Sequence, residues 1–362
     1  MGTSASRTDV LGFRIRAQQL DRPAGTPDDT AVLDIGVQDT GHDGGLWALA
    51  LRGVDVSTLS SDDLATLWTI RGAPHLYRRS DLPGVAKAVE PFSEADAGKR
   101  IFDASKPLKA AGIGNVEALD VVAAAMHSIV TTPTVKGEVS GRLTTVLDEP
   151  YLRFCRPCNT IHAYEMPFRL AAVRAGLELQ PGTSPPVLER IPGFEPARST
   201  PEHLDVVRAY LRLLGPATPK QVADYLDAPV KDVKARWPGD AVEVDVEGET
   251  RWVLDSDAGS LQAGPVSLTR LLGPFDLFLQ AKDRPLLVDD PGRAKALWPV
   301  LGRPGAVLHD GEIAGLWRPR KSGSRFRVEV ELWRALPVAA VEEQAERLAA
   351  FRGIALTGVD VR

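Results

Sequence analysis

Three sets of residues in this chain have the types and spacing that chemistry or anion binding requires. Cys155-x-x-Cys158 followed by His162 is the first. A zinc ion takes four ligands, or three and a water, and Glu165 completes a set of four by composition. The chain has no other cysteine, and the same phrase reads as two strands, 151–155 and 160–164, across the turn 156–159. The thiols are therefore expected to be packing residues, and no metal or other cofactor is expected. The second set is the basic stretch 317–327, with Arg318, Arg320, Lys321, Arg325 and Arg327 around a hairpin tip Lys321-Ser322-Gly323-Ser324. It suits phosphate contacts and suits a solvated surface hairpin equally well. The third is Arg71-Gly-Ala-Pro-His75. Arg71 is either a phosphate contact or a structural ion pair. His75 either lines a binding groove or is a partly buried residue bonded to backbone. There is no nucleotide-binding glycine loop and no nucleophile elbow.

The elements that would position these residues are clearest over 204–254. Residues 204–214 carry apolar side chains at helical spacing and stop at Gly215-Pro216. Thr218-Pro219 is an N-cap with proline at the first helical position, opening a short helix 220–226. A third helix over 230–237 follows, then two alternating strands, 241–246 and 250–254, across Glu247-Gly248-Glu249. Three helices and a hairpin make a winged helix, a helix-turn-helix variant that presents its third helix to a DNA groove. Lys220, Lys231, Lys234 and Arg236 are its candidate phosphate contacts, diluted by Asp224, Asp227 and Asp232. Duplex binding by shape is expected rather than tight sequence reading.

Two further segments read the same way. In residues 1–92, Thr26-Pro27-Asp28-Asp29 starts a helix continuing through 30–37, a Gly-rich turn covers 41–45, and Ser60-Ser61-Asp62-Asp63 caps a helix over 64–68. Strand and wing follow over 69–78. Residues 93–180 hold a long helix over 115–130, one or two helices over 135–147, the strand pair at the cysteines and a closing helix over 166–177. Residues 181–200, rich in Pro and Gly, read as a linker and 201–260 as the third unit. Over 261–362, short strands at 286–288, 306–308, 312–317 and 325–332 precede a helix over 338–353 and a last strand over 354–361. The expected fold is mainly α with short β: three tandem winged-helix units, then a β-barrel-like C-terminal domain.

The 362 residues, 44% hydrophobic and 25% charged, suit a multi-domain globular protein that needs no disulfide staples. No apolar run is long enough to cross a membrane, and the N-terminus lacks a signal pattern, so a cytoplasmic protein with no membrane partner is expected. The net charge of −5 counts mildly against DNA binding and makes clustering of the basic residues decisive.

Several phrases, ordered along nearly the whole chain, resemble one family. They are Gly36-Val37-Gln38-Asp39-Thr40 with Leu46-Trp47-Ala48-Leu49, Arg71-Gly72-Ala73-Pro74-His75-Leu76, and Tyr164-Glu165-Met166-Pro167-Phe168-Arg169-Leu170. Gly273-Pro274-Phe275-Asp276 with Asp283-Arg284, and 310–317 ending in Leu316-Trp317, complete the set. The family is the bacterial winged-helix group that includes the azinomycin-resistance and interstrand-crosslink-repair DNA glycosylases. The resemblance implies three winged helices and a C-terminal barrel arranged as a C around double-stranded DNA, damaged DNA included.

It also implies a site. The family's Gln-apolar-Gln or Gln-apolar-Asp motif falls on Gln38, Asp39 and Thr40, and this chain keeps only the first glutamine. An alkylated purine that is already cationic leaves readily, so the protein need only orient a water and stabilise an oxocarbenium-like sugar. Gln38 would hold the water, and Asp39 would act as base or electrostatic partner. Adjacent residues do not face one way on a regular element, so a turn at Gly41 is needed to aim both. The competing reading is that the pair caps a helix end. Three functions follow: an N-glycosylase acting on alkylated purines, a non-catalytic DNA-binding regulator or damage sensor, and a protein whose winged helices contact other proteins.

Overall fold

The computed structural model describes residues 3–42, 44–323 and 325–362. Asp43 of the Gly-rich turn and Ser324 of the basic tip lie outside the described residues. The chain divides into two compact units that are discontinuous in sequence. The first comprises Met1–Leu59, Arg208–Gln221 and Pro238–Arg362, and the second Ser60–Val207 and Val222–Trp237.

In the first unit, a five-stranded sheet runs in the order Thr269–Leu272, Gly305–His309, Glu312–Ser322, Arg325–Leu332, Leu356–Val361. The first four strands pair antiparallel, and the last joins parallel to Arg325–Leu332. A parallel neighbour needs a crossover, and the helix Val338–Phe351 supplies it, burying Val341, Ala345 and Leu348 at helical spacing. Trp47, on the short helix Gly44–Ala50, packs on Phe351 with ring centroids 5.1 Å apart. Trp47 and Trp317 donate their indole N–H groups to the Leu271 and Leu272 carbonyls, each at 2.8 Å. A second sheet pairs Thr3–Ala5 with the hairpin Ala241–Val246 and Glu249–Leu254.

Buried ion pairs tie the segments of this unit together. Arg52 and Asp276 form a bidentate pair at 2.9 and 3.0 Å with both side chains fully buried. Arg14 pairs with Asp283 in the same way, and Arg251 contacts that carboxylate too.

The second unit is built around the helices Asn115–Ile129 and Glu165–Arg174. Their apolar faces, with Leu119, Met126, Phe168 and Ala172, form one core with Leu108, Leu143 and Leu188. A sheet in the order Pro74–Arg78, Leu64–Trp68, Leu177–Leu179, Val187–Arg190, Thr134–Val135 lies in this unit, and the pair Leu152–Cys155 and Thr160–Ala163 stands as a separate two-stranded sheet.

The mainly α expectation is corrected. Helix makes up 43% of the chain and strand 22%, in four sheets, so the fold is mixed α/β. The barrel is corrected as well: among the described residues no sheet closes, and the C-terminal sheet has free edge strands at Thr269–Leu272 and Leu356–Val361. Residues 64–68 were expected to be helical because Ser60 to Asp63 has capping chemistry. Instead the Asp63 carboxylate accepts from the backbone N–H and hydroxyl of Ser60, which closes a turn, and Leu64–Trp68 is a strand buried along its length. Residues 286–288 do not form a strand; Pro285 opens the short helix Arg284–Leu287. The stretch read as a linker contains the strand Val187–Arg190, whose Leu188 is fully buried.

Over 204–254 the local elements form as expected: helices Val206–Leu214, Pro219–Leu226 and Val230–Ala235, then the hairpin. No described helix is long and apolar enough to cross a membrane.

Candidate active-site cleft

The site is built in the first unit around a loop that leaves the two-residue strand Val37–Gln38. Gly36 and Gly41 hold positive φ of 86° and 95°, so the loop bends sharply on both sides of Gln38, Asp39 and Thr40. The bend separates the three side chains. The Gln38 amide donates to the Thr40 hydroxyl at 3.0 Å, and its carbonyl oxygen accepts from the Gln280 amide at 3.1 Å. Gln280 is held in turn by donating to the Phe275 carbonyl at 2.9 Å. Asp39 turns to the helix Gly44–Ala50 and accepts from the Gly45 N–H at 2.8 Å. Burial raises the Asp39 pKa above the ordinary carboxylate value, and the Gly45 bond opposes that rise. A side chain at Gly44 would meet the Asp39 oxygen at 1.9 Å, so Asp39 would have to shift to admit one.

Thr40 opens onto a cleft of about 640 Å³ in the same unit. Gln38 does not line it and reaches it through Thr40. The apolar floor includes Trp47, Phe275 and Trp317, and the cationic rim includes Arg303, Arg318, Arg320 and Arg352. Arg303 lies over the Phe275 ring at 5.2 Å, and Arg318 donates to the Gly302 carbonyl at 2.7 Å. Just before those two anchors the loop carries Val300 and Leu301, which are 96% and 85% exposed at the cleft mouth. A volume near the middle of the ligand-site range, with an apolar floor and a few placed charges, suits a flat heterocycle attached to an anionic backbone.

The basic hairpin sorts by register. Arg318 faces Glu329, Arg320 faces Arg327 and Ser322 faces Arg325, so these positions share one face of the ribbon. Lys321 faces Phe326, on the other face, at the exposed tip. Arg320 is paired with Glu329 at 2.9 Å, and Arg325 is exposed.

The remaining expected DNA contacts lie in the second unit. Arg71 sits at a positive φ of 57°, with its guanidinium 4.7 Å from the centre of the Tyr225 ring and bonded to the Tyr225 carbonyl. Both contacts are internal to the unit. His75 is fully buried and cannot line a groove. Its Nδ1 lies 3.1 Å from the Thr69 hydroxyl and 2.9 Å from the Ala73 carbonyl. Burial first, and the Arg71 charge second, lower its pKa to about 3, so the ring is neutral. Lys231 and Lys234 are exposed on the helix Val230–Ala235, whose Asp232 accepts from Ser93 at 2.5 Å. The sequence reading missed Val300, Leu301, Arg303, Arg352 and Gln280. An apolar pair set among Pro299, Gly302 and Pro304 is the one signal that pointed to the first two.

Comparison with known proteins bears on what this site is for. No curated protein matches the chain. Its fold is similar to that of Streptomyces sahachiroi DNA glycosylase AlkZ, with a TM-score of 0.76 at 22% identity over 99% of this chain and 100% of that one. A family described as DNA glycosylase AlkZ-like matches residues 39–351. The chain therefore belongs to the AlkZ-like DNA glycosylase family.

Proposed function

We infer that this protein is a DNA-repair glycosylase that hydrolyses the N-glycosidic bond of alkylated purines in double-stranded DNA. The observation that carries this reading is the Gln280–Gln38–Thr40 chain of hydrogen bonds, which ends at the arginine-rimmed cleft. Gln38 has one of its carbonyl lone pairs engaged by Gln280. The second lone pair and the Thr40 hydroxyl are the groups that would order a water. The water oxygen forms a bond to the sugar C1′ as the C1′–N bond breaks. The electron pair goes to the departing base, cancelling the positive charge of the adduct, and the water's proton passes to solvent. Because the adduct leaves as a neutral base, no strong acid is needed.

Asp39 is a positioning residue in this scheme. Its carboxylate is spent on the Gly45 N–H, and it fixes the loop that carries Gln38 and Thr40. Arg318, Arg320 and Arg325 supply phosphate contacts from one face of the hairpin, with Lys321 at its tip. Val300 and Leu301 lean on the stacked bases at the cleft mouth, as apolar wedges do in other duplex-binding proteins. Lys231 and Lys234, both exposed, are further candidate phosphate contacts.

The test is release of N7-methylguanine from a duplex by the purified protein beside Gln38→Ala. Release by the wild type, reduced on the order of 10²-fold or more in the variant with duplex affinity retained, supports the reading. Salt-sensitive duplex binding with no release of this or a bulkier N7 adduct favours the non-catalytic alternative.

A further inference from the structure

The hairpin Leu152–Cys155 and Thr160–Ala163 gathers metal-ligating groups that the cleft does not use. The Cys155 and Cys158 sulfurs and a ring nitrogen of His162 all lie within 4.8 Å of one another. The geometry follows from register and turn. Cys155 faces Thr160 and Arg153 faces His162, so Cys155 and His162 are diagonal neighbours on one face of the ribbon. Asn159 sits at φ 48° and donates its N–H to the Arg156 carbonyl at 3.3 Å, which folds Cys158 back over the strand end. Asparagine is one of the few residues that adopts this left-handed geometry readily. Both of the chain's cysteines are in this one turn.

We propose that Cys155, Cys158 and His162 bind one zinc ion, as two thiolates and a neutral imidazole, with water in the fourth position. Tetrahedral zinc at about 2.3 Å from sulfur and about 2.1 Å from nitrogen sets its ligand atoms roughly 3.5–3.8 Å apart. Side-chain rotation closes the observed cluster to that spacing. Two thiol protons leave as the ion enters, so the bound site is electrically neutral. Thiolate ligands select zinc over magnesium or calcium. Glu165 is not the fourth ligand: it accepts from Lys136 at 2.8 Å and from Arg169 at 2.6 Å.

The ion has a structural task. This hairpin stands as a two-stranded sheet of its own, a form that is marginal in water. Its other face carries the cross-strand pair Phe154 and Ile161, 59% and 55% exposed, which adds little burial to hold the strands. Zinc clips the turn end and fixes the direction in which that apolar pair is presented.

The test uses the full-length chain, purified under reducing conditions without chelator. Metal analysis is expected to give about one zinc per chain. Cobalt added to the metal-stripped protein is expected to give the thiolate-to-cobalt charge-transfer band and the strong visible bands of a tetrahedral site. Cys158→Ser, at an exposed position, is expected to lower the charge-transfer intensity and weaken zinc at least about tenfold, with the far-ultraviolet circular dichroism retained. His162→Gln is expected to keep the charge-transfer band and lose affinity. The absence of zinc and of the cobalt band in the reduced wild type would overturn the proposal. So would a cobalt spectrum unchanged by Cys158→Ser. If either variant misfolds, the wild-type zinc and cobalt measurements decide alone.

Discussion

Removing the Asp276 carboxylate tests whether the buried ion pair holds both the fold of the first unit and its site. Arg52 is fully buried and every one of its N–H groups is used. Nε donates to the Gln18 carbonyl, Nη1 to the Ala48 carbonyl and Asp276, and Nη2 to the Gln18 side chain and Asp276. Asp276→Ala leaves a buried cation with two N–H groups unsatisfied. Hydrogen bonds to charged groups contribute about 1.5–3 kcal/mol each, and breaking one side of a buried pair costs about 3–5 kcal/mol. We therefore expect a loss of about 4 kcal/mol in urea unfolding, a large share of the roughly 5–15 kcal/mol of a typical domain. Asp276→Asn, which keeps one acceptor, should lose less. Arg52→Met with Asp276→Leu removes both charges and should recover to within about 2 kcal/mol of wild type. The pair also reaches the site. The Asp276 carboxylate accepts from the Phe278 N–H at 3.0 Å and so caps the turn Leu277–Gln280, whose last residue donates to Gln38. Asp276→Asn should therefore slow base release even where the protein is fully folded. A cost below about 1 kcal/mol for Asp276→Ala, read by tryptophan fluorescence against urea, would refute this reasoning.

Two further outcomes follow from particular residues. His75 is held neutral in the fold down to about pH 3, whereas the unfolded chain takes up that proton near the ordinary 6.5. The unfolded state thus binds more protons in this window, so the His75 contribution is fully present above pH 6.5 and is lost as pH falls toward 3. Denaturation between pH 6 and 4.5 should show stability falling by up to about 1.4 kcal/mol per pH unit, a slope that His75→Asn flattens. Arg320→Ala and Arg325→Ala should each weaken duplex binding and reduce the log–log salt slope by roughly one if each neutralises a phosphate, measured by anisotropy across a salt series. An unchanged slope would remove that residue from the interface.

Local signals were legible wherever a segment carries its own pattern. The helix Val338–Phe351 announces itself through apolar spacing, and the hairpin at 241–254 through alternation and a Glu-Gly-Glu turn. Leu64–Trp68 misled because Ser60 to Asp63 serves a turn as readily as a helix start, and only pairing with Pro74–Arg78 decides between them. Closure of a barrel could not be read from strand spacing, since it depends on which strands become edges. At the site, Thr40, Arg318 and Arg320 stand out singly in the sequence, but that they line one cleft depends on strand pairing across more than one segment. Gln280 was invisible because its relevance is a single hydrogen bond to a residue far away in sequence. For His75 the phrase alone allows a groove-lining residue or a buried, backbone-bonded one, and its strand position, which turns it inward, decides for the second.

The most direct measurement is single-turnover release of N7-methylguanine from a duplex by wild type and Gln38→Ala, with duplex affinity and urea stability measured on the same samples. The structure predicts release by the wild type, a rate lower by on the order of 10²-fold or more in the variant, and affinity and stability nearly unchanged. Equal rates from the two proteins would contradict the role of Gln38 while leaving a glycosylase, and no release by either would contradict the proposed activity on this lesion.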